Sequence, residues 1–156
     1  MKELGECASL QCRFLGDLFA YASKRKECSS KTFVKAYVYS SLAKRVSSAG
    51  FLYDCLSVPS AYESLAKEKK LTRGKDVYPS FVMEWIGYMM AYYSAYTGLP
   101  ASVFYSKVKP EELYRMYEAY HSLDRQEALE RIAEATGILL DFSPEEALKA
   151  LEKKAP

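Results

Sequence analysis

The chain has 156 residues, of which 49% are hydrophobic and 27% are charged, and its formal net charge is +2. This length suits one domain, and this balance is typical of a soluble globular protein, which excludes a disordered, collagen-like or strongly acidic chain. Residues 1–78 hold 14 Lys and Arg against 8 Asp and Glu, whereas residues 79–156 hold 8 against 12. We therefore expect a single domain over 1–156, with a basic first half and an acidic, tyrosine-rich second half.

The spacing of apolar residues in the first half indicates helices, because apolar side chains recur every three or four positions. The predicted helices of this half cover 7–25, 30–46 and about 60–70. Ser29 is expected to cap the second helix, and Ser60 with Glu63 to form a capping box at the start of the third. We expect a loop over 47–59 and a polar connection over 71–78.

The strongest predicted helix is the central one, over 79–97. Pro79 suits its first turn and Gly98 the position after its last residue. The residues between them are apolar or aromatic nearly all round, which is typical of a buried helix. The side chains expected in its core are Trp85, Ile86, Met89 and Met90. A membrane span is not predicted, because the apolar run is shorter than about 20 residues and contains Glu84 and several tyrosines.

The remaining chain predicts shorter helices, which begin at prolines or capping residues. They cover 100–108, 110–121, 124–137 and the chain from 143 onward. Ser143 and Glu146 form a second capping box, and the side chains expected to face inward after it are Ala147, Leu148 and Leu151. The sequence thus predicts an all-α bundle of about six or seven helices around the central helix.

Cysteine and histidine content excludes the common metal sites. The chain has four cysteines without a Cys-x-x-Cys motif, and a single histidine, His121, so no zinc site and no cofactor are predicted. The cysteines are Cys7, Cys12, Cys28 and Cys55. The first residues lack the apolar run of an export signal, so we expect free, buried and inert thiols in a cytoplasmic protein.

Two polar positions are candidates for chemistry. His121 and Asp124 lie three residues apart across a helix boundary, where they can form an acid–base pair or can simply end one helix and cap the next. Glu84 lies in the apolar central helix, either as a buried charge that pairs with Arg115, Lys107 or a tyrosine, or at the rim of the helix near its N-terminus. In both cases we favour the structural role.

Nine of the 14 tyrosines lie between residues 78 and 120. Because one buried helix cannot easily satisfy so many hydroxyls internally, we expect several of them to reach the surface. Tyrosine is also enriched in partner-binding surfaces. The predicted binding patch consists of Tyr92, Tyr93, Tyr96, Tyr105 and Tyr120, with His121 and Asp124 at its edge.

Basic residues cluster at three places in the first half, at 24–26, 44–45 and 67–75. Such clusters can contact phosphates, but acidic residues are interleaved with them, so a solvated face is favoured over a nucleic-acid surface.

The second half resembles a family of small bacterial helical proteins that are often encoded beside toxin-like or ADP-ribosyltransferase-like open reading frames. The matching segments are Glu84-Trp-Ile-Gly-Tyr88, Tyr92-Tyr93, Thr97-Gly98, Val103-Phe-Tyr105, Leu113-Tyr114, Tyr120-His121-Ser-Leu-Asp124 and Ala128-Leu-Glu-Arg-Ile132. The chain departs from the family at Ala91, where an arginine is expected, and at Ser94, where a tryptophan is expected. The family supplies no catalytic residues to transfer.

The resemblance implies an antitoxin-like or companion protein that binds the product of an adjacent gene. We therefore favour a non-enzymatic cytoplasmic binding protein. One alternative is a small enzyme with a tyrosine-lined pocket that uses Glu84 and His121. The other is a nucleic-acid-binding accessory protein that uses the basic first half.

Overall fold

The computed structural model describes residues 5–46, 56–71, 74–141 and 143–152. Within these ranges the fold consists of nine α-helices and no strand, which confirms the all-α prediction. The helices are α1 (Glu6–Arg25), α2 (Ser30–Val38), α3 (Ser41–Val46), α4 (Val58–Glu68), α5 (Ser80–Thr97), α6 (Ala101–Lys107), α7 (Pro110–Tyr120), α8 (Arg125–Thr136) and α9 (Pro144–Glu152).

The two longest helices, α1 and α5, form the most extensive helix contact of the fold. Ser23, near the end of α1, donates a hydrogen bond to the carbonyl of Tyr78, just before α5. Gly16, earlier in α1, lies beside Glu84, which is later in the chain. The two helices therefore run antiparallel. Glycines allow the two backbones to approach closely: a Cβ on Gly87 would lie only 2.6 Å from the carbonyl oxygen of Leu15. A Cβ on Gly16 would likewise lie 3.0 Å from a backbone oxygen of α5. A larger residue at either position would force the helices apart.

Helix α5 lies at the centre of the core, as predicted. The four side chains expected there are each at most 4% exposed: Trp85, Ile86, Met89 and Met90. The helix follows Pro79 and ends at Gly98, which adopts a left-handed conformation with φ of 77°. Glycine tolerates this conformation better than other residues, so the sequence alone locates the end of the helix well.

The helix predicted over 30–46 is divided into α2 and α3, which is one reason why the count exceeds six or seven. The hydroxyl of Ser40 donates to the carbonyl of Tyr37 at 2.6 Å and accepts a hydrogen bond from the amide of Ala43 at 3.2 Å. Ser40 therefore closes one helix and caps the next. The predicted cap at Ser29 is confirmed, since its Oγ accepts a backbone amide hydrogen bond at 3.2 Å.

The capping box predicted at Ser60 and Glu63 is wrong, because α4 begins earlier. Ser57 caps this helix, with its Oγ accepting the amide hydrogen bond of Ser60 at 3.2 Å. Pro59 then lies in the first turn, where the missing amide hydrogen costs nothing. Of the loop predicted before this helix, residues 47–55 lie outside the described residues.

The capping box at the start of α9 is confirmed. The amide of Glu146 donates to Ser143 Oγ at 3.2 Å, and the Glu146 carboxylate accepts the amide hydrogen bond of Ser143 at 3.4 Å. The predicted inward face is only partly correct, because Ala147 packs against the core whereas Leu148 is 58% exposed and Leu151 is 42% exposed. Helix α9 thus rests on the edge of the core through a small residue, which leaves its larger apolar side chains outside.

Candidate partner-binding surface

An aromatic strip crosses the surface between the N-terminal half of α5 and α7. Its members at the surface are Phe81, Tyr114, Tyr117 and His121, which are exposed or half-buried, and the fifth member, Tyr78, is only 6% exposed and packs against Tyr114. The ring centroids of Tyr78 and Tyr114 are 4.5 Å apart, and those of Phe81 and Tyr117 are 5.6 Å apart. His121 continues the strip by stacking on Tyr117, with centroids 4.2 Å apart and planes inclined by only 9°. These distances are those of favourable aromatic pairs.

The local sequence explains why the strip forms. Tyr114, Tyr117 and His121 are spaced by three and four residues, which places them on one face of α7 and its end. Beneath them, Trp85 is 4% exposed and its ring centroid lies 5.7 Å from that of Tyr117. The strip is therefore fixed to the core, yet Phe81 is 59% exposed and Tyr114 is 40% exposed.

His121 lies at the C-terminal end of α7, where it takes the helix-ending role. Its Nδ1 lies 2.7 Å from the carbonyl oxygen of Tyr117, which can only accept, so Nδ1 carries the proton. Asp124 precedes α8 without a capping hydrogen bond from its side chain. Within the described residues no hydrogen bond or ion pair joins Asp124 to His121, so the structure does not bring them together as an acid–base pair.

Part of the predicted tyrosine patch lies together near the other end of α5. The rings of Tyr92 and Tyr96 stack with centroids 6.2 Å apart, and the guanidinium of Arg125 lies 4.3 Å from the ring centroid of Tyr88. Burial raises the pKa of Tyr92, and the nearby carboxylate of Asp124 adds to this rise. Because Tyr92 is only 6% exposed, this group offers little free surface.

Two other members of the predicted patch have different neighbours. Tyr93 is completely buried, with its ring centroid 4.9 Å from that of Phe104, and burial raises its pKa to about 12. Tyr105 contacts Tyr39 at a centroid distance of 6.1 Å, while Lys109 Nζ lies 3.9 Å from its ring centroid.

Tyr120, the last tyrosine of the predicted patch, is partly buried against the core.

Glu84 is not the buried charge that the sequence allowed, because its side chain is exposed. Although α5 is apolar nearly all round, one stripe of the helix faces away from the core. Phe81, Glu84 and Tyr88 follow one another on this stripe at spacings of three and four, and all three are exposed or half-buried.

A cavity of about 290 Å³ lies beside the C-terminal half of α5. It is lined mainly by small and apolar side chains of α1, α5 and the start of α6, including Ala91 and Ser94, the two positions at which the chain departs from the resembled family. Neither Glu84 nor His121 lines it, so the enzyme alternative, which places both residues in one tyrosine-lined pocket, finds no support in this cavity.

The described cysteines differ in exposure. Cys12 and Cys28 are buried, whereas Cys7 is exposed, which corrects the expectation that every thiol is buried. Burial raises the pKa of Cys12 to about 12, which keeps this thiol protonated and unreactive. Cys55 lies outside the described residues. In the part of the chain that the structure describes, no cluster of three or more His, Cys, Asp or Glu residues has a geometry suited to a metal ion.

Comparison of the chain with protein-family models, with curated proteins and with solved structures finds no significant match. Among the described helices, none has the length and apolar character needed to cross a bilayer. The resemblance noted from the sequence therefore stays a prediction.

Sequence reasoning missed most of the aromatic strip. Of its five members, only His121 belongs to the predicted patch. Tyr114 and Tyr117 carried a usable signal in their spacing to His121, whereas Phe81 did not, because an apolar residue in an apolar helix is expected to be buried.

Proposed function

We propose that this chain is a non-enzymatic binding protein, and that the aromatic strip is the surface to which a partner protein docks. The observation that supports this most directly is the exposure of Phe81, at 59%, and of Tyr114, at 40%, on helices that are fixed to the core through the buried Trp85. Isolated exposed apolar residues are common, but several adjacent exposed aromatic rings on rigid helices are typical of interaction surfaces.

The surroundings of the strip also suit a protein interface. The exposed neighbours on α7 are Arg115 and Glu118, one of each sign, which resembles the polar rim of a specific interface. The side chains of Phe81 and Tyr117 are already ordered by their packing, so little conformational entropy would be lost on binding.

The partner that we propose is the product of an adjacent toxin-like gene, in keeping with the resemblance of the second half. The free thiols at Cys7, Cys12 and Cys28 suit the cytoplasmic location that this role requires. Of the predicted tyrosine patch, the proposed surface keeps only His121; Tyr93, for example, is fully buried and cannot contact a partner.

The test is the affinity of the purified chain for the product of the neighbouring gene, measured by calorimetry. Phe81→Ala and Tyr114→Ala should each weaken binding by about 30-fold, which corresponds to about 2 kcal/mol. Tyr39→Ala is the matched control, because Tyr39 is 42% exposed but contacts Tyr105 on another part of the surface. The proposal is contradicted if the product does not bind, or if the control weakens binding as much as the strip variants do.

A further inference from the structure

A second surface feature lies beside the aromatic strip and shares Tyr78 with it. The end of α1, the connection before α5 and the first residues of α5 enclose an open pocket of about 630 Å³. Three lysines line it, namely Lys24, Lys26 and Lys75, together with Ser80 at the start of α5. We call this concavity the lysine pocket. The sequence showed these lysines as separate clusters, and only the fold brings them together.

The connection that carries Lys75 is held in place by hydrogen bonds. The amide of Ser30 donates to the carbonyl of Asp76 at 3.0 Å, and the amide of Tyr78 donates to the hydroxyl of Ser30 at 2.8 Å. Gly74 packs directly on α2, since a Cβ there would lie 2.4 Å from that of Ser29. The backbone around Lys75 is therefore fixed before any ligand binds, which reduces the entropy cost of binding.

The positive charges of the pocket are not neutralised by ion pairs. Within the described residues, no carboxylate lies within ion-pair distance of Lys24, Lys26 or Lys75, whereas the neighbouring Arg25 pairs with Glu27. Asp76 and Glu111 lie close enough to Tyr78 to add to the rise that burial causes in its pKa, but neither of them lines the pocket. The lining thus has an excess of positive charge.

The start of α5 adds hydrogen-bond donors. The amides of Val82 and Met83 both donate to the carbonyl of Pro79 at 3.0 Å, so intrahelical bonding begins at Val82. The amide of Ser80 therefore has no partner inside the helix, and Ser80 also brings a hydroxyl to the lining. The N-terminus of an 18-residue helix favours an anion at this position.

The conformation of Lys26 is also unusual. It is the one non-glycine residue with positive φ in the described chain, at 54°, in a position where helices commonly end with glycine. A left-handed conformation is unfavourable for lysine, and Lys26 adopts it at a position that lines the pocket.

From these observations we propose that the lysine pocket binds the phosphate group of a small phosphorylated ligand. Phosphate suits the site better than a carboxylate does, because it carries up to two charges and three or more acceptor oxygens. The lining supplies three lysines, the hydroxyl of Ser80 and the helix-terminal amide of Ser80 as donors to such a group. A single carboxylate would leave most of these donors without a partner.

The proposal is tested by titrating the ¹⁵N-labelled chain with inorganic phosphate and, separately, with pyrophosphate at low salt. We expect saturable shifts of the backbone amide signals of Ser80 and Lys75. The triple variant Lys24→Ala/Lys26→Ala/Lys75→Ala should weaken the binding of both anions by at least about tenfold. The control Lys35→Ala/Lys44→Ala/Lys67→Ala removes the same charge from exposed positions outside the pocket and should bind as the parent chain does.

Thermal melts establish whether both triple variants are folded. A milder second variant is Lys75→Gln alone, which should lower the affinity for both anions several-fold. The proposal is overturned if neither anion gives saturable shifts, or if the two triple variants lose affinity equally, because the effect would then be one of net charge. It is also overturned if a single-stranded oligonucleotide binds at the pocket while phosphate and pyrophosphate do not.

Discussion

Aromatic residues in the two halves of α5 differ in their exposure. In the N-terminal half, Phe81 is largely exposed and its neighbours form the aromatic strip. In the C-terminal half, Tyr92 and Tyr93 are buried although they carry hydroxyls. The difference shows that the packing of neighbouring helices, rather than the polarity of a ring, decides which aromatic residues are available to a partner.

The neighbours of each half account for the contrast. In the C-terminal half, Tyr93 packs against Phe104 of α6, and the ring of Tyr92 stacks on that of Tyr96. Among the described residues, the ring of Phe81 contacts one other aromatic ring, that of Tyr117 of α7, and Phe81 stays 59% exposed.

The largest expected effect compares two aromatic residues of the same half. Trp85→Ala should lower the free energy of unfolding by about 3–5 kcal/mol, because it removes a buried ring and leaves a cavity. Phe81→Ala should lower it by about 1 kcal/mol at most, because Phe81 is 59% exposed and loses mainly its contact with Tyr117. Urea unfolding of both variants measures the difference, and similar losses would contradict the placement of the two side chains.

The next effect concerns the close contact between α1 and α5 at Gly87. Gly87→Ala should cost about 2–3 kcal/mol, because the new Cβ would lie 2.6 Å from the carbonyl oxygen of Leu15 and 2.8 Å from Phe19 Cγ. Gly5→Ala is the control, since a Cβ at that position meets nothing within 4 Å. If both variants unfold at the same urea concentration as the parent chain, α1 and α5 do not cross at Gly87.

The smallest expected effect is a pH dependence of the free energy of unfolding that comes from the buried Tyr93. Burial raises the pKa of Tyr93 to about 12, above the value of about 10 in an unfolded chain. The neutral form is therefore favoured by folding, so the corresponding stability is present below pH 10 and is lost as the pH rises from 10 to 12. Tyr93→Phe should make the loss of stability over this range shallower by up to about 1 kcal/mol per pH unit. Urea unfolding from pH 8 to 12 tests this, and identical slopes would contradict it.

Local signals were sufficient for most of the fold. Ser29, Gly98 and the Ser143 capping box located helix ends correctly, because caps depend on a few adjacent residues. The break at Ser40 was missed, because the apolar stripe continues across it and only the hydrogen bonds of its hydroxyl show that one helix ends there. The closeness of Leu15 to Gly87 depends on long-range packing and could not be predicted from either segment alone.

The candidate surfaces were less predictable than the fold. The number of tyrosines correctly indicated that some rings reach the surface, but not which ones, because exposure depends on the helices that pack around them. Tyr114 could have been recognised by its spacing to His121. The lysine pocket could not have been recognised from the sequence. Lys26 and Lys75 are far apart in sequence, and only the fold places both of them in the lining of one pocket.

Hydroxyl-radical footprinting of the native chain, read by mass spectrometry, tests the central contrast most directly. After correction for the intrinsic reactivity of each residue type, Phe81 and Tyr114 should be oxidised several-fold faster than Tyr92 and Tyr93. Urea-unfolded protein is the control, in which the four rates should become similar. Equal rates in the native chain, or faster oxidation of Tyr93 than of Phe81, would contradict the placement of Phe81 at the surface and of Tyr93 in the core.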